Sequence, residues 1–150
     1  MTIGLFSRCM GASSTFAAMT QNPEAFADVR CMVAPQPVTQ AIIVERRLGI
    51  MGLAEHFAEV DRMIKLRSSF GLGQRVPREW ARAVTVPTFL YQVRADGLTV
   101  PSDVQATYDN IPVADKKLQW IEDTTARFDG YLEFQRRPEP MLEWFAAHLR

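Results

Sequence analysis

Apolar and polar positions along the chain alternate between two rhythms. Thr2 to Ser7 is a short strand-like run carrying Ile3, Leu5 and Phe6. It passes through Ser7-Arg8-Cys9-Met10-Gly11 straight into Ala12 to Met19, a helix-compatible stretch ended by the breaker pair Asn22-Pro23. A second β-type run, Val29 to Ala34, is closed by Pro35-Gln36-Pro37. Two strands joined by a helical crossover of this length predict a βαβ unit and parallel pairing. In the middle of the chain Leu53, Phe57, Val60 and Ile64 recur at helical spacing, with Glu55, Glu59 and Asp61 turned elsewhere. Gly71-Leu72-Gly73 breaks that pattern, and Pro77 opens a short helix through Trp80. This excursion, about 38–83, has the character of an inserted helical cap. Pro87 to Val93 is a buried-strand run ending in the loop Arg94-Ala95-Asp96-Gly97. Ser102 to Tyr108 is a helix with Ser102 as its N-cap, and Lys117 to Ile121 is the last strand. The final helix, Pro138 to Leu149, sets Met141, Leu142, Trp144, Phe145 and Leu149 on one face. The expected class is α/β, a three-layer sandwich around a mainly parallel four-stranded sheet.

The length of 150 residues suits one domain. Lys+Arg and Asp+Glu are both 17, and this balance argues against a nucleic-acid or anionic-membrane partner held by bulk charge. Charges interrupt every apolar stretch, so no segment is expected to span a bilayer. The opening Met1 to Arg8 lacks the basic leader and long apolar core of a signal peptide. Cys9 and Cys31 make no disulfide framework, which points to a reduced, cytoplasmic protein. The cysteines and histidines lack zinc-site spacing, and Gly71-x-Gly73 lacks the Lys and Ser/Thr of a phosphate loop. No metal or cofactor is expected.

The chemistry concentrates in Ser7-Arg8-Cys9-Met10-Gly11. Where a strand reverses sharply into a helix around a nucleophile, the residues two before and two after it must be small, because larger side chains are expected to collide across the turn. Ser7 and Gly11 meet that requirement, and Cys9 takes the nucleophile's place. Unpaired N–H groups and the dipole at a helix N-terminus favour its thiolate, and Arg8 adds to this if it points inward. The plainer reading is that Cys9 is a small residue fitting a tight turn. Cys31, inside a strand run, reads as core, and a Cys9–Cys31 redox pair would require the neighbouring strands to bring the two together. Arg127, Phe128, Tyr131 and Phe134 either line a pocket over the turn or seal the end of the sheet. His56 flanks the apolar face of the middle helix, and His148 complements the dipole at the end of the last. Neither histidine is expected in a catalytic site. Glu45-Arg46-Arg47 reads as a solvated helix face.

Taken in order, these parts resemble the C-terminal half of an α/β-hydrolase. They are the strand, the Ser7-x-Cys9-x-Gly11 turn and its helix, the strand ending in Pro35-Gln36-Pro37, and the cap-like insert. Val86-Pro87-Thr88-Phe89-Leu90 then leads to Asp96 and Pro101, and Ile111-Pro112 precedes the strand Leu118 to Ile121 and the terminal helix. A cysteine at the nucleophile position is similar to the dienelactone hydrolase branch, in which a thiolate attacks an ester or lactone carbonyl. The resemblance implies Cys9 as nucleophile, Asp96 as the acid, the Met10 N–H as an oxyanion donor and a small acyl substrate.

Two departures stand out. The loop Glu122 to Tyr131 holds no histidine, and Phe128 falls where the family's base is expected. A general base contributes about 10²–10⁴-fold. The family's earlier strands, with the loop giving a second oxyanion donor, lie outside the resemblance, and such a donor is worth about 10²–10³ in turnover. A partial fold follows, whose first strand is an open edge without Lys, Pro or bulge. The edge is expected to pair with a second copy or with a chain carrying the other half. Three functions fit: a Cys9-dependent ester, thioester or lactone hydrolase or acyltransferase; a non-catalytic binding or assembly module of the same fold; and a half-protein that works only beside its partner.

Overall fold

The structure is a computed structural model and describes residues 2–150. Four parallel strands, β1 (Ile3–Phe6), β2 (Val29–Pro35), β3 (Thr88–Val93) and β4 (Lys116–Ile121), lie side by side in chain order. Each step therefore crosses the sheet in the same sense, and right-handed connections place the crossover helices on one face. That face carries α1 (Met10–Gln21), α4 (Pro77–Trp80) and α5 (Pro101–Asn110). Between α1 and α4 lie α2 (Gln40–Ile50) and α3 (Phe57–Ser68). Ala12, Phe16 and Met19 of α1 meet Met32, Ala34 and Leu90 of the sheet, with Ala81, Val84 and Ile111 completing a buried core. Side chains alternate across a strand, so Val33, Phe89, Tyr91 and Val93 point the other way. There α6 (Arg127–Arg136) and α7 (Glu139–His148) cover them with Phe134, Met141, Trp144 and Phe145. This is the α/β architecture the sequence leads one to expect.

Several details differ from the sequence expectation. Residues expected to form a loop after β4 become α6, whose interior glycine and polar composition hide it from periodicity. Helix α5 opens with Pro101 in its first turn after an extended Val100, so Ser102 is not its cap. Leu142 on α7 is 57% exposed and packs on nothing in the core, because the helix presents only Met141, Trp144 and Phe145 to the sheet. The pairing of β1 with β2 shifts register between Ile3 and Gly4, an irregularity at the edge that the sequence does not announce. Gly4 is required there, since a Cβ would stand 2.8 Å from the Phe145 ring. Helices α2 and α3 bury no residue fully, and Glu45, Arg46 and Arg47 are exposed. No helix among the described residues is long and apolar enough to cross a membrane.

His148 ends α7 with its Nδ1 2.6 Å from the Trp144 carbonyl and its Nε2 2.9 Å from the Asp115 carboxylate. Burial pulls the imidazolium down, but these two acceptors outweigh it and the ring titrates above its ordinary value. A raised folded-state value adds stability that is complete below the unfolded value and is lost as pH rises through the folded one. Urea midpoints of wild type and His148→Gln are therefore expected to differ most in mildly acidic buffer, the gap narrowing toward alkaline pH. A gap independent of pH would contradict the ion pair.

Candidate active site

Parallel strands all end at one side of the sheet, so the loops after β1 to β4 converge there. Each supplies one residue: Cys9, Gln36, Asp96 and Arg127.

Cys9 sits in the turn between β1 and α1 with φ 56° and ψ −125°. A non-glycine residue holds this left-handed φ only where its surroundings compel it. The compulsion comes from β2: the Ser7 N–H donates to the Val33 carbonyl at 2.9 Å and the Cys9 N–H to the Pro35 carbonyl at 2.8 Å, carrying the ladder into the turn. The Thr15 hydroxyl donates to Ser7 Oγ at 3.0 Å from the first turns of α1. At Gly11 the expected collision is absent, because a Cβ there would meet nothing within 4 Å. That side of the first helical turn faces an open cavity rather than packed chain.

The Cys9 sulfur is partly exposed. It receives the Arg127 Nη2 at 3.6 Å, and Met10 and Tyr131 share its cavity wall. Burial pushes the thiol up, but Tyr131, Arg127 with its charge, and Met10 outweigh it and hold Cys9 below the usual thiol value. Arg8 plays no part in this. It is exposed and lies over the Tyr131 ring, 5.7 Å from its centre.

Arg127 is the first residue of α6. Its Nη1 is bonded to the Asp96 carboxylate, its Nη2 to the sulfur and to the Gln36 carbonyl at 3.2 Å, and its Nε donates to the Tyr131 hydroxyl at 2.8 Å. The Arg127 side chain is 11% exposed and that of Asp96 only 2%. Asp96 also accepts the Leu98 N–H at 2.9 Å and Gln92 Nε2 at 3.3 Å. The space between sulfur and carboxylate is thus filled by the Arg127 guanidinium. Phe128, the residue expected there, points out to a 73% exposed position on the rim. Burial works against the guanidinium charge, yet Cys9, Tyr131 and Asp96 hold Arg127 above its ordinary value. Such a group donates but accepts no proton. The Tyr131 hydroxyl, pushed up to about 12 chiefly by burial, stays a neutral donor at neutral pH.

Gln36 was not singled out as functional in the sequence. It is fully buried with φ 54°, donates from Nε2 to the Arg127 carbonyl at 2.8 Å, and accepts the Val93 N–H at 3.3 Å. Its only sequence signal is a polar residue between two prolines where a strand ends. Gly130 makes room for it, since a Cβ there would lie 1.8 Å from Gln36 Nε2. Gly130→Ala is therefore expected to displace Gln36 and, with it, Arg127. The pH profile of Cys9 alkylation then moves upward while the far-UV circular dichroism remains that of the folded chain. An unshifted profile would show that Gln36 does not hold Arg127.

The remaining candidates disperse. Phe134 joins the sheet core, whereas Tyr131 and Phe128 wall a cavity of about 480 Å³ with Arg8, Met10, Gly11 and Leu132, onto which Cys9 opens. Cys31 is buried, and burial pushes its thiol up. It stands beside Gly4, whereas Cys9 bonds Pro35. At about 3.3 Å per residue the two cysteines are roughly 13 Å apart, too far for a disulfide. His56 is exposed beside Glu55, and neither histidine bonds Cys9, Asp96 or Arg127. Among the described residues no group of histidine, cysteine and carboxylate side chains could hold a metal ion.

No family model matches the sequence, and no curated protein matches it significantly. Solved structures match the fold. An esterase from Pyrococcus furiosus is 18% identical with a TM-score of 0.64, the match covering 97% of this chain and 54% of the esterase. A monoacylglycerol lipase from Paleococcus ferrophilus is 14% identical with a TM-score of 0.61, covering 98% and 69%. An α/β-hydrolase enzyme from the metagenome of lagoon sediments is 16% identical with a TM-score of 0.60, covering 97% and 62%. At these identities the likeness is one of fold. The chain has the α/β-hydrolase architecture and spans about half the length of the first of these structures.

Proposed function

We propose that this chain, built on the α/β-hydrolase fold, transfers acyl groups through Cys9, as a hydrolase or acyltransferase acting on thioesters and activated esters. The observation that carries the reading is a partly exposed sulfur bonded by a buried guanidinium, itself anchored on a buried carboxylate. The thiolate attacks the acyl carbonyl, a C–S bond forms, and the carbonyl electron pair moves onto oxygen. The Met10 N–H, next to the sulfur at the start of α1, is the donor the turn supplies to that oxyanion. Collapse expels the leaving group with its electron pair. Arg127 cannot shuttle a proton to it, so the leaving group must depart as a stable anion, which thiolates and phenolates do and alkoxides and amide nitrogens do not. Solvent hydroxide or the thiolate of an acceptor, neither of which brings a proton to be removed, then takes the acyl group, and Cys9 leaves as its thiolate. Asp96 acts through Arg127 as a positioning residue. The esterases and lipases of the same fold support the reaction class.

The test is turnover of a short-chain thioester, an aryl ester and an alkyl ester by wild type and Cys9→Ala. The expected result is activity on the first two alone, lost in the variant. Equal rates in both proteins, or comparable hydrolysis of the alkyl ester, would overturn the reading.

A second observation bears on assembly. β1 lies at the edge of the sheet, with Phe6 47% exposed. The N–H groups of Ile3 and Ser7 donate into the Asp28–Pro35 side, so by alternation that of Phe6 faces outward. Pairing of Thr2 to Ser7 with the same segment of a second copy gives one continuous sheet, an isologous contact. Sedimentation at micromolar concentration is expected to show a dimer; Phe6→Pro, which removes the outward N–H together with the ring beside Phe134, is expected to show a monomer, and Phe6→Ala, which removes the ring but keeps the N–H, a dimer. A monomeric wild type would dispose of this assembly.

A further inference from the structure

The site surrounds its sulfur with donors. Arg127 Nη2 donates to Cys9, the Tyr131 hydroxyl and the Met10 N–H are the further donors at its cavity, and nothing bonded to the sulfur takes up a proton. Acyl transfer must borrow such an acceptor from solvent in its second half, as hydroxide or an acceptor thiolate. Attack on a peroxide borrows none: it needs a thiolate, and donors for the oxygen that leaves.

We propose that the chain has a further activity, separate from acyl transfer, in which Cys9 reduces organic hydroperoxides and the Arg127 guanidinium and Tyr131 hydroxyl stabilise the departing oxygen. The sulfur attacks the terminal oxygen of R–O–OH. An S–O bond forms as the O–O bond breaks, a bond weak enough for an alkoxide to leave where the C–O bond of an ester is not; Cys9 is oxidised to the sulfenic acid, and the peroxide is reduced to R–O⁻, which takes its proton from water. A small-molecule thiol displaces the sulfenic oxygen as water to give a mixed disulfide. A second molecule of that thiol releases Cys9 and leaves as its own disulfide.

Three structural facts shape this cycle. Arg127 bonds both the sulfur and the Tyr131 hydroxyl, so the two groups are held at the Cys9 cavity before a peroxide arrives. The cavity at Cys9 is walled by Met10, Phe128 and Leu132, with Met10 53% and Phe128 73% exposed, which suits an apolar R group better than hydrogen peroxide. Cys31 is buried and out of reach, so the oxidised form is a lone sulfenic acid and the reductant must come from outside.

The test compares two reactions of the intact wild-type chain: oxidation by cumene hydroperoxide, followed as the dimedone adduct of Cys9, and alkylation by iodoacetamide. Both use the thiolate, so the ratio of their rate constants is independent of how much thiolate is present. The ratio is expected to exceed that of glutathione by about tenfold or more, to fall toward the glutathione value in Tyr131→Phe and Arg127→Lys, and to be lower with hydrogen peroxide. A wild-type ratio equal to that of glutathione would overturn the proposal, as would adducts formed at Cys31 in place of Cys9. Thioester turnover measured on the same preparation separates this proposal from the acyl reading, because either can fail while the other stands.

Discussion

Arg127→Met is expected to lift the Cys9 thiol out of its depressed range and to leave Asp96 buried without its cation. Both effects follow from one guanidinium, whose Nη2 is the charged donor to the sulfur and whose Nη1 pairs with the carboxylate. Removing one member of a buried pair costs about 3–5 kcal/mol, because the other charge is stranded in a poor solvent for it. The Leu98 N–H and Gln92 Nε2 still bond Asp96, but both are neutral. Alkylation against pH and urea unfolding, run on the same variant, read the two effects separately. Adding Asp96→Asn is expected to recover much of the stability and none of the acidity. A single variant with the wild-type alkylation profile would make the guanidinium a bystander.

Cys9→Ser is expected to be as inactive as Cys9→Ala toward thioesters and aryl esters. A serine hydroxyl needs a base to become a nucleophile, and that contribution, about 10²–10⁴-fold, has no source where a guanidinium stands beside it. In a site containing an imidazole the same exchange of oxygen for sulfur would keep part of the activity. The comparison of kcat/KM for wild type, Cys9→Ser and Cys9→Ala is therefore a direct test for a hidden base. Serine activity well above the alanine background would show that one exists.

The sheet was legible in the chain because its strands are apolar runs closed by Pro, Gly or Asp, and their order fixed the parallel topology. The site was legible only in part. Cys9 and Asp96 stand at strand ends whose turns are marked locally. Arg127 was visible as a pocket residue, but its place between sulfur and carboxylate was not, because Gly130 and the polar residues around it disguise the helix that begins there. Once Arg127–Arg136 is helical, Arg127 opens its first turn and Phe128 swings outward. Gln36 carries no local signal beyond its place between two prolines: its partner is 91 residues away, and the void that admits it is a missing methyl group at Gly130, on that partner's helix. Gly11 errs in the other direction. It fits the pattern of a crowded turn, yet the space beside it is empty.

The contact between Cys9 and Arg127 spans 118 residues. During synthesis the sulfur emerges well ahead of its guanidinium, so a nascent chain still short of Arg127 carries a thiol without its charged donor. The charged donor to that sulfur therefore arrives only when α6 docks on the loops after β1 and β3.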